Sequence, residues 1–132
     1  MPGQSQVTAY IAPATTAVSV TAAVSTGATL TLPAAGAGLF IYLTFIEITL
    51  VVATTVTGAA TPIAVTTTGI TGTPSFRLAN GTSAVVGALL DRIMAPFAFG
   101  LKGSAANTAM VFTAPIVTGA IWSMNATYYA DI

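Results

Sequence analysis

Short apolar runs rich in valine, isoleucine and threonine alternate along the chain with breaks that contain glycine or proline. Few stretches place apolar residues at a helical period, and β-branched residues favour extended backbone. The pattern therefore predicts many short strands separated by turns. The predicted strands are residues 6–11, 17–24, 28–32, 39–52, 63–68, 75–78, 96–102, 109–113 and 120–129.

One segment, 83–94 (SAVVGALLDRIM), has the pattern of a short helix. Ser83 is suited to cap it, because a serine hydroxyl accepts a hydrogen bond from the first turn. Gly87 lies inside the segment and disfavours a helix by its conformational freedom. We expect a short helix here, with four apolar side chains on one face: Val86, Leu89, Leu90 and Ile93.

The number of strands and the lack of alternating helices predict an all-β fold. Two packed sheets, as a sandwich or jelly roll, explain irregularly spaced short strands, and a closed barrel is the lesser alternative. A chain of 132 residues has the size of one domain. We expect a single domain over 17–132, preceded by an extended N-terminal arm over 1–16.

The segment 39–52 is the most apolar stretch of the chain. It is too short for a membrane helix and carries Glu47 near its middle, so we expect a long strand and no membrane partner. Both of its faces are apolar, whereas a sandwich strand usually turns one face to solvent. The second face therefore predicts a homo-oligomer, most simply a ring. The predicted interface residues are Leu39, Ile41, Leu43, Phe45, Val51 and Trp122.

The composition excludes several classes of function. Only 5% of residues are charged, the net charge is zero, and the mean hydropathy is +0.88. The chain has no histidine and no cysteine, which removes the commonest general base, the thiolate nucleophile and the usual zinc ligands. Three cations cannot form a nucleic-acid-binding patch. We therefore expect no enzyme activity, no cofactor, no metal site and no nucleic-acid partner.

Glu47 is the one acidic residue within an apolar strand. A carboxylate in such a place needs a cation, hydrogen bonds or a proton. We expect it to form a buried ion pair with Arg77 or Arg92, with Lys102 as a further partner, within one chain or across an interface. A catalytic acid is the remote alternative, because no nucleophile or second base accompanies it.

The first residues differ from the rest of the chain, being rich in alanine, threonine, glutamine and serine. Such a segment is suited to be an arm that adds a strand to the open sheet edge of a partner. The alternative is that 1–6 has no fixed structure and the remainder is an ordinary first strand. The predicted contact residues of the arm are Gln4, Gln6, Val7, Tyr10 and Ile11.

Four stretches carry a resemblance to a known group: 41–48 (IYLTFIEI), 60–76 (ATPIAVTTTGITGTPSF), 104–108 (SAANT) and 119–129 (GAIWSMNATYY). Together they resemble small phage structural proteins of the jelly-roll capsid decoration, or cement, type. The resemblance implies a trimer on the exterior of an icosahedral virion head, with the major capsid protein as partner. The low charge of this chain is a departure from the group, and it argues against a mainly electrostatic attachment to the capsid.

Other particle proteins are alternatives to a decoration protein. A small jelly-roll coat protein is one, although the chain is short and has no basic arm. A trimeric tail or fibre-tip module that binds a receptor is another, and its loops at 69–74 and 80–82 would then contact a carbohydrate or a protein. The copy number in the particle distinguishes these classes.

Overall fold

The computed structural model describes residues 14–132, which form strands and turns without a helix. None of the described residues belongs to a helix that is long and apolar enough to cross a membrane. The strand predicted at 6–11 lies outside the described residues. The eight strands are β1 (Thr16–Thr21), β2 (Ala28–Leu32), β3 (Phe40–Val52), β4 (Ile63–Thr68), β5 (Phe76–Leu78), β6 (Leu89–Lys102), β7 (Met110–Ala114) and β8 (Ala120–Asp131).

The strands form two four-stranded antiparallel sheets with the orders β1-β8-β3-β6 and β2-β7-β4-β5. The first strand pairs with the last, β2 with β7, β3 with β6, and β4 with β5. The chain is thus a long antiparallel ribbon folded over on itself. The prediction of an all-β, two-sheet fold is confirmed.

The core lies between the two sheets and is apolar. Alternate residues of β2 and β8 are buried, as expected for strands with one inward face. Burying a large aliphatic side chain contributes about 1.5 to 3 kcal/mol, so this layer supplies most of the stabilisation. The largest fully buried side chains include Trp122, Phe112, Leu32, Ile41, Leu43, Ile46, Ile48 and Leu50.

A β-bulge at Thr44 changes which residues of β3 face the core. Leu43 pairs with Tyr128 and Phe45 pairs with Thr127, so Thr44 is an extra residue between two matched positions. Its hydroxyl lies 2.9 Å from the carbonyl oxygen and 2.7 Å from the hydroxyl of Thr127. Odd-numbered residues therefore face inward before the bulge and even-numbered residues after it. Strict alternation would place Ile41 and Leu43 on the same face as Phe45 and Val51, and the bulge makes that expectation wrong.

The predicted helix at 83–94 is also wrong. The chain makes a turn there and enters β6 at Leu89. Gly87 has a φ of +83°, which ends any helix at this position. Its N–H donates to the carbonyl of Val52 at 2.7 Å, and the N–H of Val52 donates to Ala88 at 2.9 Å. These bonds join the turn to the end of β3, and the following residues extend the sheet.

Three of the four strands at sheet edges are short, with six residues in β1, five in β2 and three in β5. The longest edge strand, β6, contains Pro96 and an irregularity beyond it. Short edges, proline and bulges all oppose pairing with another sheet. Sheet faces and loops are therefore better suited than sheet edges to contact other molecules.

Candidate functional site

The predicted interface residues fall into two groups. Ile41, Leu43 and Trp122 are 0% exposed and lie in the core between the sheets. The indole N–H of Trp122 donates to the carbonyl of Pro115 at 2.7 Å. These three side chains are already covered within one chain, so the structure corrects their predicted place at an interface.

Phe45 and Val51 lie on the outer face of the β1-β8-β3-β6 sheet, where both are half-buried. Phe45 is opposite Pro96, and Val51 is opposite Ile121. Leu39 precedes β3 and is also half-buried. An interface through these three residues stays a prediction, because a half-buried residue can still contact a partner. We call this side of the sheet the outer face.

Glu47 also lies on the outer face, between Asn125 of β8 and Met94 of β6. The side-chain amide of Asn125 donates to its carboxylate at 3.5 Å. Arg77 is on β5, in the other sheet. Arg92 is on β6 at the position opposite Thr49, where its guanidinium contacts the sulfur of Met94 at 3.9 Å.

The structure therefore does not bring Glu47, Arg77 and Arg92 together within one chain. Between residues 14 and 132, no ion pair joins the Glu47 carboxylate to either arginine. A pairing across an interface stays a prediction. The residues expected in the N-terminal arm, Gln4, Gln6, Val7, Tyr10 and Ile11, lie outside the described residues.

A double-mutant cycle on Glu47 and Arg92 tests whether the two groups interact. With Glu47→Gln, Arg92→Gln and the double variant, we expect a coupling below about 0.5 kcal/mol in the free energy of urea unfolding. Both groups reach water, and no ion pair joins them in the part of the chain that the structure describes. A coupling above about 1.5 kcal/mol would contradict this and indicate a direct pair, within one chain or between chains.

An aromatic cluster lies at the end of the outer face where β3 begins and β8 ends. The rings of Tyr42 and Tyr129 stack with centroids 4.9 Å apart and planes inclined by 6°. The ammonium of Lys102 lies 4.0 Å from the ring centre of Phe40 and 5.9 Å from that of Tyr42. Cation–π contacts and stacking fix these side chains in place. The cluster is a rigid surface at one end of the sheet.

A large bulge in β6 packs against this cluster. Pro96 pairs with Phe45 and Leu101 with Leu43, so residues 97–100 face the single residue Thr44. Gly100 has a φ of +80°, and a Cβ there would lie 2.8 Å from the Cβ of Tyr42. The glycine thus lets the bulge pack directly on the tyrosine.

Phe99 is the most exposed large apolar side chain in the described part of the chain, with 92% of its surface accessible. Its backbone is nevertheless held, because the hydroxyl of Tyr129 donates to its carbonyl at 3.0 Å. Phe97, two residues earlier, packs against the core. A fixed backbone that presents a bare phenyl ring is typical of an anchor in a protein contact.

A cleft of about 670 Å³ lies at the other end of the sandwich. Its lining residues are uncharged, six with apolar side chains and four with hydroxyl or amide groups, and polar atoms make up the larger share of the exposed wall. The volume is within the range of sites that hold a small molecule or an inserted side chain. The lining residues are Thr55, Thr57, Pro62, Ile63, Ala64, Asn80, Pro115, Ile116, Val117 and Thr118.

The loops around the cleft contain no charged residue; they are 22–27, 53–62, 79–88 and 115–119. Backbone bonds join them: Ala53 and Thr54 donate to the carbonyl of Gly119, each at 2.8 Å. Val85, Val86 and Ile116 project from them with 67%, 72% and 69% of their surface exposed. We call these four loops the loop end.

The described residues contain no cluster of three acidic or other metal-ligating side chains. Comparison of the chain with protein-family models, with curated protein sequences and with solved structures gave no match. The geometry therefore offers contact surfaces: the outer face, the Phe99 bulge and the loop end. Sequence reasoning did not predict the Phe99 bulge, and of the loop end it predicted only residues 80–82, as part of the fibre-tip alternative. The one available signal was the uncharged run MAPFAFGL at 94–101.

Proposed function

We propose that the chain is a non-enzymatic structural protein of a virus or phage particle, a homotrimer that decorates the exterior of the head. The observation that carries this proposal is a two-sheet sandwich with a nearly uncharged surface that exposes large apolar side chains. Such surfaces are usually covered by other subunits.

The strand order supports a jelly roll as the finer description of the fold. Jelly rolls have eight strands in two sheets, and they occur in capsid proteins, lectins and cupins. Here the strands pair from the two ends of the chain toward its middle, and consecutive strands change sheets except at β4 and β5. A fold alone does not determine a function, so the choice among these classes of protein rests on the properties of the surface.

The distribution of charge on the surface favours many weak contacts with a partner over binding at a single charged site. The six charged residues are spread over four strands, β3, β5, β6 and β8. In a particle lattice each subunit is bound at several places at once, so many weak contacts add up to a strong attachment. Attachment to the major capsid protein would then rest on apolar contacts and shape. We expect it to depend little on salt concentration, since screening acts on charges.

Catalysis is not part of this proposal. Glu47 lies in the middle of β3, and its described partner is an amide. Hydrolysis or transfer chemistry asks for a nucleophile or base arranged beside the acid. A reproducible turnover that is lost in Glu47→Gln, with folding unchanged, would overturn the non-enzymatic assignment.

The copy number of the chain in purified particles tests the proposal. We expect hundreds of copies per particle by quantitative mass spectrometry, in a fixed ratio to the major coat protein. Antibody against the recombinant chain should label the outside of intact heads. Absence of the chain from particles that contain all other structural proteins would contradict the proposal.

A trimeric tail or fibre-tip module is the second candidate, and the cleft is the feature that favours it. Hydroxyl groups of Thr55, Thr57 and Thr118 and the amide of Asn80 line the cleft without any charge. Groups of this kind suit a neutral ligand such as a carbohydrate or peptide. A few tens of copies per particle, with antibody label on the tail, would support this candidate. A small coat protein would instead form the shell itself.

A further inference from the structure

We propose that Phe99 of one copy of the chain inserts into the cleft at the loop end of a neighbouring copy. This inference rests on the proposed homo-oligomer and names the contact that would hold it together. The neighbouring copy supplies a residue to the cleft that the same chain cannot supply.

The two surfaces lie too far apart to meet within one chain. The Phe99 bulge is opposite Thr44, between the pairs made by Leu43 and Phe45, whereas the cleft begins beyond Val52, where β3 ends. Leu43 and Val52 are nine residues apart, and a strand rises about 3.3 Å per residue, which places the surfaces about 30 Å apart. The short loops and paired strands between them leave no hinge that would close this distance. Phe99 therefore cannot reach the cleft of its own chain.

The two surfaces share one property, the lack of charged side chains in the cleft lining and in residues 94–101. The nearest charged groups are Lys102, over the Phe40 ring, and Asp91, which accepts from the N–H of Ala79. A contact that leaves these two groups at its rim avoids the large cost of burying a charge. A phenyl ring is smaller than the 670 Å³ space and can lie against its six apolar lining residues, while polar atoms make up the larger share of the exposed wall.

The bulge is prepared for insertion before any partner binds. The hydrogen bond from Tyr129 to the Phe99 carbonyl and the packing of Gly100 on Tyr42 hold the backbone. Binding then costs little additional ordering, which is the usual advantage of a rigid anchor. Aromatic residues are the commonest anchors of protein interfaces.

A contact between different surfaces of two identical chains is head to tail. Such contacts close into a ring when the rotation between neighbours fits, and they form filaments when it does not. A ring of three copies would pair every bulge with a cleft. This arrangement agrees with the trimer that we propose and leaves the part of the outer face away from the bulge free for another partner.

Site-specific cross-linking tests the contact, because the natural chain has no cysteine. Full-length Phe99→Cys and Ile116→Cys chains, carrying different tags, are co-expressed and treated with a short bis-maleimide. We expect a cross-linked dimer that contains both tags, in large excess over the dimer formed when either variant is expressed alone. Cross-linking of Phe99→Cys chains to one another would overturn the inference, because it would show that like surfaces meet.

Native mass by light scattering provides the second test. We expect Phe99→Ser to weaken self-association at least about 30-fold, the effect of losing a strong interface anchor. Leu89→Ser is the matched control, since it also removes an exposed apolar side chain but lies in β6, outside both the bulge and the loop end. Its mass should equal that of the unchanged protein.

The outcomes separate this inference from the proposed function. An unchanged trimer in Phe99→Ser, together with a failed cross-link, overturns the Phe99 contact and leaves the trimer standing. A monomer for the unchanged protein overturns both the contact and the trimer. The copy number in particles is independent of either result and tests the particle role by itself.

Discussion

Replacing Gly69 with alanine is expected to destabilise the folded chain by about 3 to 5 kcal/mol, among the largest effects of any single substitution. Gly69 follows β4 and has a φ of +79°. A Cβ there would overlap the carbonyl oxygen of Ala109 and lie 2.9 Å from its carbonyl carbon. Both atoms belong to the backbone, so the clash can be relieved only by moving the segment that leads into β7.

Gly72→Ala is the matched control for this prediction. Gly72 lies in the same loop with a φ of +80°, but a Cβ there would meet nothing within 4 Å. Gly72→Ala should lower the free energy of unfolding by the cost of the left-handed backbone conformation alone, about 1 to 2 kcal/mol. Urea unfolding at one fixed protein concentration, followed by the fluorescence of the single tryptophan, measures both variants. Equal losses in the two variants would show that the approach to Ala109 is not as close as described.

Replacing Trp122 with alanine should have the second large effect, a loss of about 3 to 5 kcal/mol. The side chain is fully buried and its N–H is bonded to Pro115, so its removal leaves a cavity and an unpaired carbonyl. Circular dichroism follows unfolding in this variant, which has no tryptophan. A variant that does not fold at all agrees with the prediction.

Phe99→Ala is the control for Trp122, since it removes an aromatic ring that is 92% exposed. We expect its free energy of unfolding, measured at low protein concentration, to change by less than about 0.5 kcal/mol. The pair thus distinguishes a core aromatic from a surface aromatic. A small loss in Trp122→Ala that grows with protein concentration would contradict the core position and return Trp122 to an interface.

The local pattern was sufficient to predict the fold class and most strands. The strands predicted at 28–32 and 63–68 have the observed bounds, because alternating β-branched residues end there at glycine or proline. The prediction of a helix at 83–94 failed because apolar residues at helical spacing also fit a turn followed by a strand. The pairing of this segment with β3 decides between a helix and a strand. That pairing joins residues about 40 positions apart, so the local sequence carries no signal of it.

The contact surfaces were harder to predict for the same reason. The bulge at Thr44 is specified by pairing with Thr127, so alternation alone placed Ile41 and Leu43 on the wrong face. Phe99 is exposed because four residues of β6 oppose one residue of β3. The cleft joins residues from separate loops. These features depend on contacts between distant parts of the sequence.

The central claim is that other copies of the chain cover part of its nearly uncharged surface. The native mass of the full-length recombinant protein, measured by size exclusion with light scattering over a range of concentrations, tests it most directly. We predict a stable trimer of about three times the 13.2 kDa chain mass. A well-behaved monomer at every concentration would contradict the claim.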